Sequence, residues 1–236
     1  MKKLKSLLVL AVMAVAGLNV SAKAGIEAGY MNMSYTLSGE GFKVSNPSLN
    51  GFYVGVSDDI RLVAGLGIRV GLNYSYTADK SARSFIEELG MKGTSEKDHY
   101  LNVPLRVRYN FTLVPKVLKI QAYAGPVFSV GLSHTQSFDF QATINDETLG
   151  GSLKYNYYTG KFKSDAIDSA ELEDSGLPTY KRFDVAMGGG VGIELINLIE
   201  VKVGYDWGLS ERLKGDYAGS ASCKRNMFYV SLGLRF

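Results

Sequence analysis

Cysteine is almost missing from this chain. The one thiol, Cys223, has no intrachain partner, so a disulfide framework is excluded. It also lies too far from the N-terminus to be a lipid-modified N-terminal cysteine. Histidine occurs only as His99 and His134. Past the N-terminal two dozen residues, no stretch approaches the roughly 18 consecutive apolar residues of a transmembrane helix. No Pro/Ser-rich linker divides the chain, and helical periodicity is nearly absent, which argues for one all-β domain.

The N-terminus reads MKKLKSLLVLAVMAVAGLNVSAKA. Lys2, Lys3 and Lys5 form a basic region, Leu7 to Leu18 an apolar core, and Ala22 and Ala24 an A-x-A cleavage site. The expectation is a signal peptide over 1–24 and one domain over 25–236. An uncleaved anchor is the alternative, disfavoured by the shortness of the apolar run. Removing the leader takes four of the 26 cations and leaves 22 against 23 anions. A chain so nearly neutral gives no electrostatic reason to bind nucleic acid.

What the chain has in abundance is period-two alternation. It marks strands over 25–37, 49–57, 60–76, 100–111, 119–133, 182–195, 199–209 and 228–236, with a bulge expected near Asn32. Connections alternate between short (57–59, 112–118, 196–198) and long (38–48, 77–98, 134–181, 210–226). Tight turns alternating with long loops are the layout of an eight-stranded antiparallel up-and-down transmembrane barrel.

Alternation alone does not say which face is inside. From the second strand on, one face carries no charge. The other carries Arg61, Arg69, Arg106, Arg108, Asp184, Glu194, Glu200, Lys202, Asp206 and Arg235. Glycines gather with those charges, as they must if long side chains share a lumen barely wide enough for them. Aromatics gather at the ends of the apolar face: Tyr74, Tyr76, Phe183, Tyr205, Trp207 and Phe228 at one end, Tyr109, Phe111 and Phe236 at the other. The charged face is therefore assigned to the inside as a structural ion network that plugs the lumen, with Glu27 as a further member. Glu194 and Glu200 flank one tight turn, so these like charges should lie side by side with Arg61, Lys202 or Arg235 between them.

YLNVPLRVRYNF (100–111) resembles the LxxPLxxxYxF strand of the PorT-type outer-membrane β-barrel family of Bacteroidetes-type bacteria. AYAGPVFSVG (122–131), FDVAMGGGVGIEL (183–195) and EVKVGYDWGLS (200–210) are similar to its later strands, and FYVSLGLRF resembles the C-terminal signature by which outer-membrane barrels are recognised for insertion. The resemblance implies a multi-pass barrel of the Gram-negative envelope, exposed to outer-membrane lipid and lipopolysaccharide and inserted by barrel assembly machinery. For the namesake it implies a role in a secretion pathway, hence a surface or secretion-pathway protein as partner.

The loops are where chemistry would lie. The strand from Lys119 to Ile144 is longer than the roughly 9–11 residues that cross a bilayer. It should project and pair with 153–159 around a turn at 146–151; a ten-stranded barrel using this hairpin is the alternative. Tyr155, Tyr157, Tyr158, Lys161 and Lys163 mix aromatics and cations as a surface contact site would. SARSFIEELGMKG (81–93) suggests a short helix. Asp165, Asp168, Glu171, Glu173 and Asp174 match no calcium loop. Both histidines have outward parity, and neither sits in the His-x-Ser pair of outer-membrane deacylases. No catalytic set, metal site or cofactor is expected. The reading is a monomeric, non-enzymatic barrel that acts through external loops in binding, adhesion or envelope integrity, with a secretion accessory or a narrow, porin-like pore for small solutes as alternatives.

Overall fold

A computed structural model of the chain describes residues 23–39, 42–45, 48–79, 91–144, 147–164, 179–214 and 221–236. The leader up to residue 22, the helix expected near 81–90 and the acidic group at 165–174 lie outside the described residues. The strands are β1 (Lys23–Gly39), β2 (Phe42–Ser45), β3 (Leu49–Arg61), β4 (Leu66–Asp79), β5 (Met91–Val114), β6 (Leu118–Ile144), β7 (Glu147–Asn156), β8 (Lys161–Ser164), β9 (Phe183–Leu195), β10 (Ile199–Gly208) and β11 (Ala221–Arg235).

Antiparallel pairing runs β5-β4-β3-β1-β11-β10-β9-β6, and a β5–β6 pairing joins the two ends. Eight strands thus form a closed, barrel-like ring. Closure matters physically, because an open edge would leave a row of backbone N–H and C=O groups with no partner in hydrocarbon. β7 pairs only with β6 and β8, from Thr135↔Asn156 to Ile144↔Glu147, and enters the ring nowhere. The ten-stranded alternative is therefore wrong. The turn of this hairpin is also tighter than expected, lying between Ile144 and Glu147, because Gly150 and Gly151 continue the ladder opposite Gln141 and Phe140.

Two further expectations are corrected. β1 runs unbroken against both neighbours, with no bulge near Asn32. Its phase is obscure in the sequence because the inward positions change from Glu27 to Met31, Met33 and Tyr35 as the strand rises. The first short turn lies at 62–65, not at 57–59. Leu62 and Ala64 let the apolar alternation run straight through the turn. What bends the chain is a pair of left-handed residues, Ala64 at φ 52° and Gly65 at φ 86°, a conformation glycine adopts at no steric cost.

The outward face is apolar and bare. Val107, Val191 and Leu232 are more than half exposed, as are Phe183 and Trp207 at one rim and Phe111 and Phe236 at the other. An exposed apolar surface of this extent marks an interaction with something other than water, here a membrane.

Candidate functional site

The pleat turns every second residue inward, and the ring brings those residues together. Nine of the ten expected lumen charges are buried, the most exposed being Lys202 at 6%. Arg61 is the exception. It is the last residue of β3, beside the turn, and it is exposed at the rim.

Near the short-turn end, Arg69 donates from Nε and Nη2 to Asp59 at 2.5 and 2.9 Å and from Nη1 to Glu200 at 2.6 Å. Arg235 donates to Glu200 and to Ser57 (2.6 Å) and reaches Glu27 at 3.3 Å. Lys202 pairs with Glu27, and Arg108 stands 3.2 Å from Asp59. Glu194 and Glu200 do sit opposite each other, but no cation lies between them. Glu200 turns into the lumen toward Arg69 and Arg235, whereas Glu194 turns to the rim and takes Lys23 (2.8 Å) and Lys119 (3.2 Å). Each carboxylate has its own pair of cations, which removes the repulsion.

Midway, Arg106 Nη2 donates to Asp206 at 2.5 Å beside Tyr53, Tyr123 and Tyr229. A Cβ at Gly204 would fall 2.7 Å from the Tyr123 hydroxyl, so glycine here makes room for lumen rings as well as for charges. A cavity of about 60 Å³ remains. Above it, Arg225 donates to Asp184 (2.8 Å) and Ser129 (2.7 Å), and Ser129 donates to Asn102 (2.7 Å). Among the described residues, the buried charges come to seven cations and seven anions.

Asp59, Asp98, Arg212 and Arg225 belong to this buried set, although the alternation alone assigns them to turns or loops. The reason is common to Asp98 and Arg225. β5 and β11 continue past the lipid boundary, where outward residues such as Lys97 and Lys224 no longer need to be apolar. The hydrophobic signal stops there, but the strand does not.

At the long-loop end the described residues form an aromatic cap. Arg212 is fully buried, donates to the Tyr100 hydroxyl, and places its guanidinium 4.6 Å from the Tyr35 ring centre and 4.9 Å from that of Tyr180. Tyr158 bonds Tyr100 at 3.0 Å beneath Arg182, and Tyr157 stacks on Tyr180 at 4.9 Å. This corrects the surface-contact reading: Tyr155 and Tyr158 are buried, Tyr157 and Lys161 are half-buried, and only Lys163 is exposed. Beside them, Tyr35, Tyr100 and Tyr180 pack with the inward apolar residues Met33, Leu49 and Leu213.

The histidines part company. β5 and β6 shift register between His99 and Tyr100, pairing His99 with Ser133 but Tyr100 with Gly131, which leaves Leu132 as an extra residue. The bulge flips the parity of β6, so His134 points inward, 2.8 Å from Glu96, while His99 faces outward and hydrogen-bonds Tyr74 at 2.6 Å. They are not a pair.

Where β10 leaves the ring, the Glu211 carboxylate accepts backbone N–H bonds from Leu213 (3.0 Å) and Cys223 (2.8 Å). Partial burial alone would raise its pKa. The bonds from Leu213, Ser222 and Cys223 outweigh that and hold it below the usual carboxylate range. Burial pushes the Tyr158 and Tyr180 hydroxyls up, and Tyr158 donates to Tyr100.

A closed antiparallel ring with charges inside and lipid-compatible residues outside defines an outer-membrane-type barrel. The chain belongs to the outer membrane protein beta-barrel domain family, whose model matches residues 16–213. That membership places it in the outer membrane; the narrower PorT-type resemblance is not carried by the match. No curated protein is a significant match in sequence. Among solved structures, the chain is similar to Ail, the attachment invasion locus protein of Yersinia pestis, with 12% identity, 91% of this chain and 99% of that chain covered, and a TM-score of 0.41. Neisserial surface protein A shows 11% identity over 91% and 97% of the two chains, with a TM-score of 0.41. A major outer membrane protein from Thermus thermophilus shows 14% identity over 92% and 100%, with a TM-score of 0.43.

Proposed function

We propose that the protein is a monomeric outer-membrane barrel with a lumen plugged by ion pairs, acting without catalysis through the structure it raises outside the membrane. The observation that carries this reading is the lumen itself. Buried ion pairs fill it, from Arg69–Asp59 and Arg235–Glu200 up to Arg106–Asp206 and Arg225–Asp184, and the cavity of about 60 Å³ left among the mid-lumen tyrosines holds a few waters. Meanwhile β7 and β8 extend the sheet beyond the ring along β6, and Tyr158 bonds back to Tyr100 of β5. A projecting hairpin on a closed barrel suits binding, adhesion or shielding of the envelope better than transport.

Planar-bilayer recording tests the plug: the purified protein should give no stable conductance steps at neutral pH, and stable openings would favour the narrow pore. Lipid A mass spectrometry from cells with and without the gene tests the absence of catalysis, and an unchanged acyl pattern is expected. The leader is proposed to be a cleaved signal peptide. Cleavage after Ala24 would remove Lys23 from Glu194 while Lys119 stays on it, and intact-mass measurement of the membrane form reads the site directly.

A further inference from the structure

On the β5–β6 side of the barrel the sheet continues past the lipid boundary. β9 leaves β6 at Val130↔Phe183, and β7 takes up the same edge from Thr135↔Asn156, with β8 beyond it. Residues directly opposite each other on antiparallel strands share a face, so the registers fix what stands on the outward side. His99 faces outward beside Tyr74 and Tyr76, at the level of the aromatic belt. Two residues further along β5, about 7 Å, the next outward row runs Lys97, Thr135, Asn156 and Lys161 across four strands. The row after it includes Ser137, Lys154 and Lys163. Among the described residues neither row holds a carboxylate. Glu96 lies on the opposite face, in the row of Gln136 and the buried Tyr155. Asp139 shares the outward face but is one row further from the barrel. Lys97, Lys154 and Lys163 are exposed, and none of them makes an ion pair among the described residues. Lys154 and Lys163 stand directly opposite each other, where like charges repel unless an anion joins them.

We propose that these rows bind the phosphate groups of outer-leaflet lipid headgroups of the lipid A type. Position selects a lipid over a soluble polyanion. The lysines share the face of the lipid-exposed wall and begin one row beyond its aromatic belt, where basic side chains reach headgroups while their stems rest on apolar surface. Lys97 and Lys154 are two strand spacings apart, about 10 Å. Thr135, Ser137 and Asn156 on these rows offer neutral donors to the same headgroup. The site rests on the function proposed above only in placing β6 to β8 outside the cell. It requires neither a plugged lumen nor a ligand for the loops.

The test is native mass spectrometry of the full chain in detergent micelles with three probes: lipid A carrying its phosphates, the same lipid A dephosphorylated, and soluble glucosamine 1-phosphate. Lipid A should bind best. The dephosphorylated form should be weaker by about tenfold or more, because the charge-assisted bonds are lost. The sugar phosphate should be weaker still, since it lacks acyl chains to hold it at the barrel wall. Lys97→Gln, and separately Lys154→Gln with Lys163→Gln, should weaken lipid A by about fivefold for each lysine removed. Unchanged heat-modifiable gel mobility checks that these surface variants fold. Lys224→Gln removes an exposed lysine of β11, on the far side of the ring, and should leave binding unchanged. Equal binding of the two lipids, indifferent Lys97 and Lys154/Lys163 variants, or an equal loss in Lys224→Gln would each overturn the site. Sugar phosphate binding as tightly as lipid A would overturn the lipid assignment. An epitope tag in the turn between Ile144 and Glu147, stained on intact cells, reads the sidedness by itself, and unstained cells would overturn that placement whatever the lipids do.

Discussion

Arg69 holds Asp59 and Glu200 at once, and without it Asp59 keeps only Arg108 and Glu200 only Arg235 as cation partners. Arg69→Met should therefore destabilise the barrel by about 3 kcal/mol, the low end of what removing one partner of a buried ion pair costs, because each carboxylate keeps a second cation. Urea unfolding in lipid vesicles measures it, and a loss well under 1 kcal/mol would mean water fills the gap. At the opposite extreme is Ile196, a β-branched residue held at φ 47° beside Asn197 at φ 56°. That turn has the form in which Asn and Gly are at ease, so Ile196→Asn should stabilise the protein by roughly 1 kcal/mol in the same assay. The parity of Arg69 is legible in the sequence. Its partners are not, because Asp59 looks like a turn residue and Glu200 is 131 positions away.

At the scale of elements, two connections carry testable physics. Glu211 ties the end of β10 to β11 through acceptor bonds that hold its pKa down. A carboxylate with a depressed folded pKa contributes stability above its unfolded value of about 4.3 and loses it as pH falls through the folded value. Hydrogen-exchange protection factors at the Leu213 and Cys223 amides should accordingly fall only in acid. Glu211→Gln should make exchange there faster at neutral pH and remove the acid dependence. The cap depends on Gly131, where a Cβ would overlap the Tyr158 hydroxyl. Gly131→Ala should expel Tyr158 and expose 157–160 to limited proteolysis while the ring stays intact. The existence of the projecting hairpin is legible from the excess length of the alternating segment. The inward turn of Tyr155 and Tyr158 is not, because a run of tyrosines and lysines reads the same whether it faces solvent or folds over a mouth.

For the molecule as a whole, closure is the decisive fact. It gives each of the eight ring strands two neighbours, leaves an apolar exterior for lipid, and brings the interior charges together to pair across the lumen. The two ends also differ. Aromatic rings pack around Arg212 at the long-loop end, while at the short-turn rim Lys119 pairs with Glu194.

Alternation is a local property of the pleat, repeated every two residues. The sequence alone was therefore enough for the strand faces, the count of eight and the side on which arginines sit. Where strands end, which face His134 takes after a one-residue bulge, and which charge meets which across as many as 208 positions depend on register and closure. Those are relations between distant segments, and only the folded ring decides them.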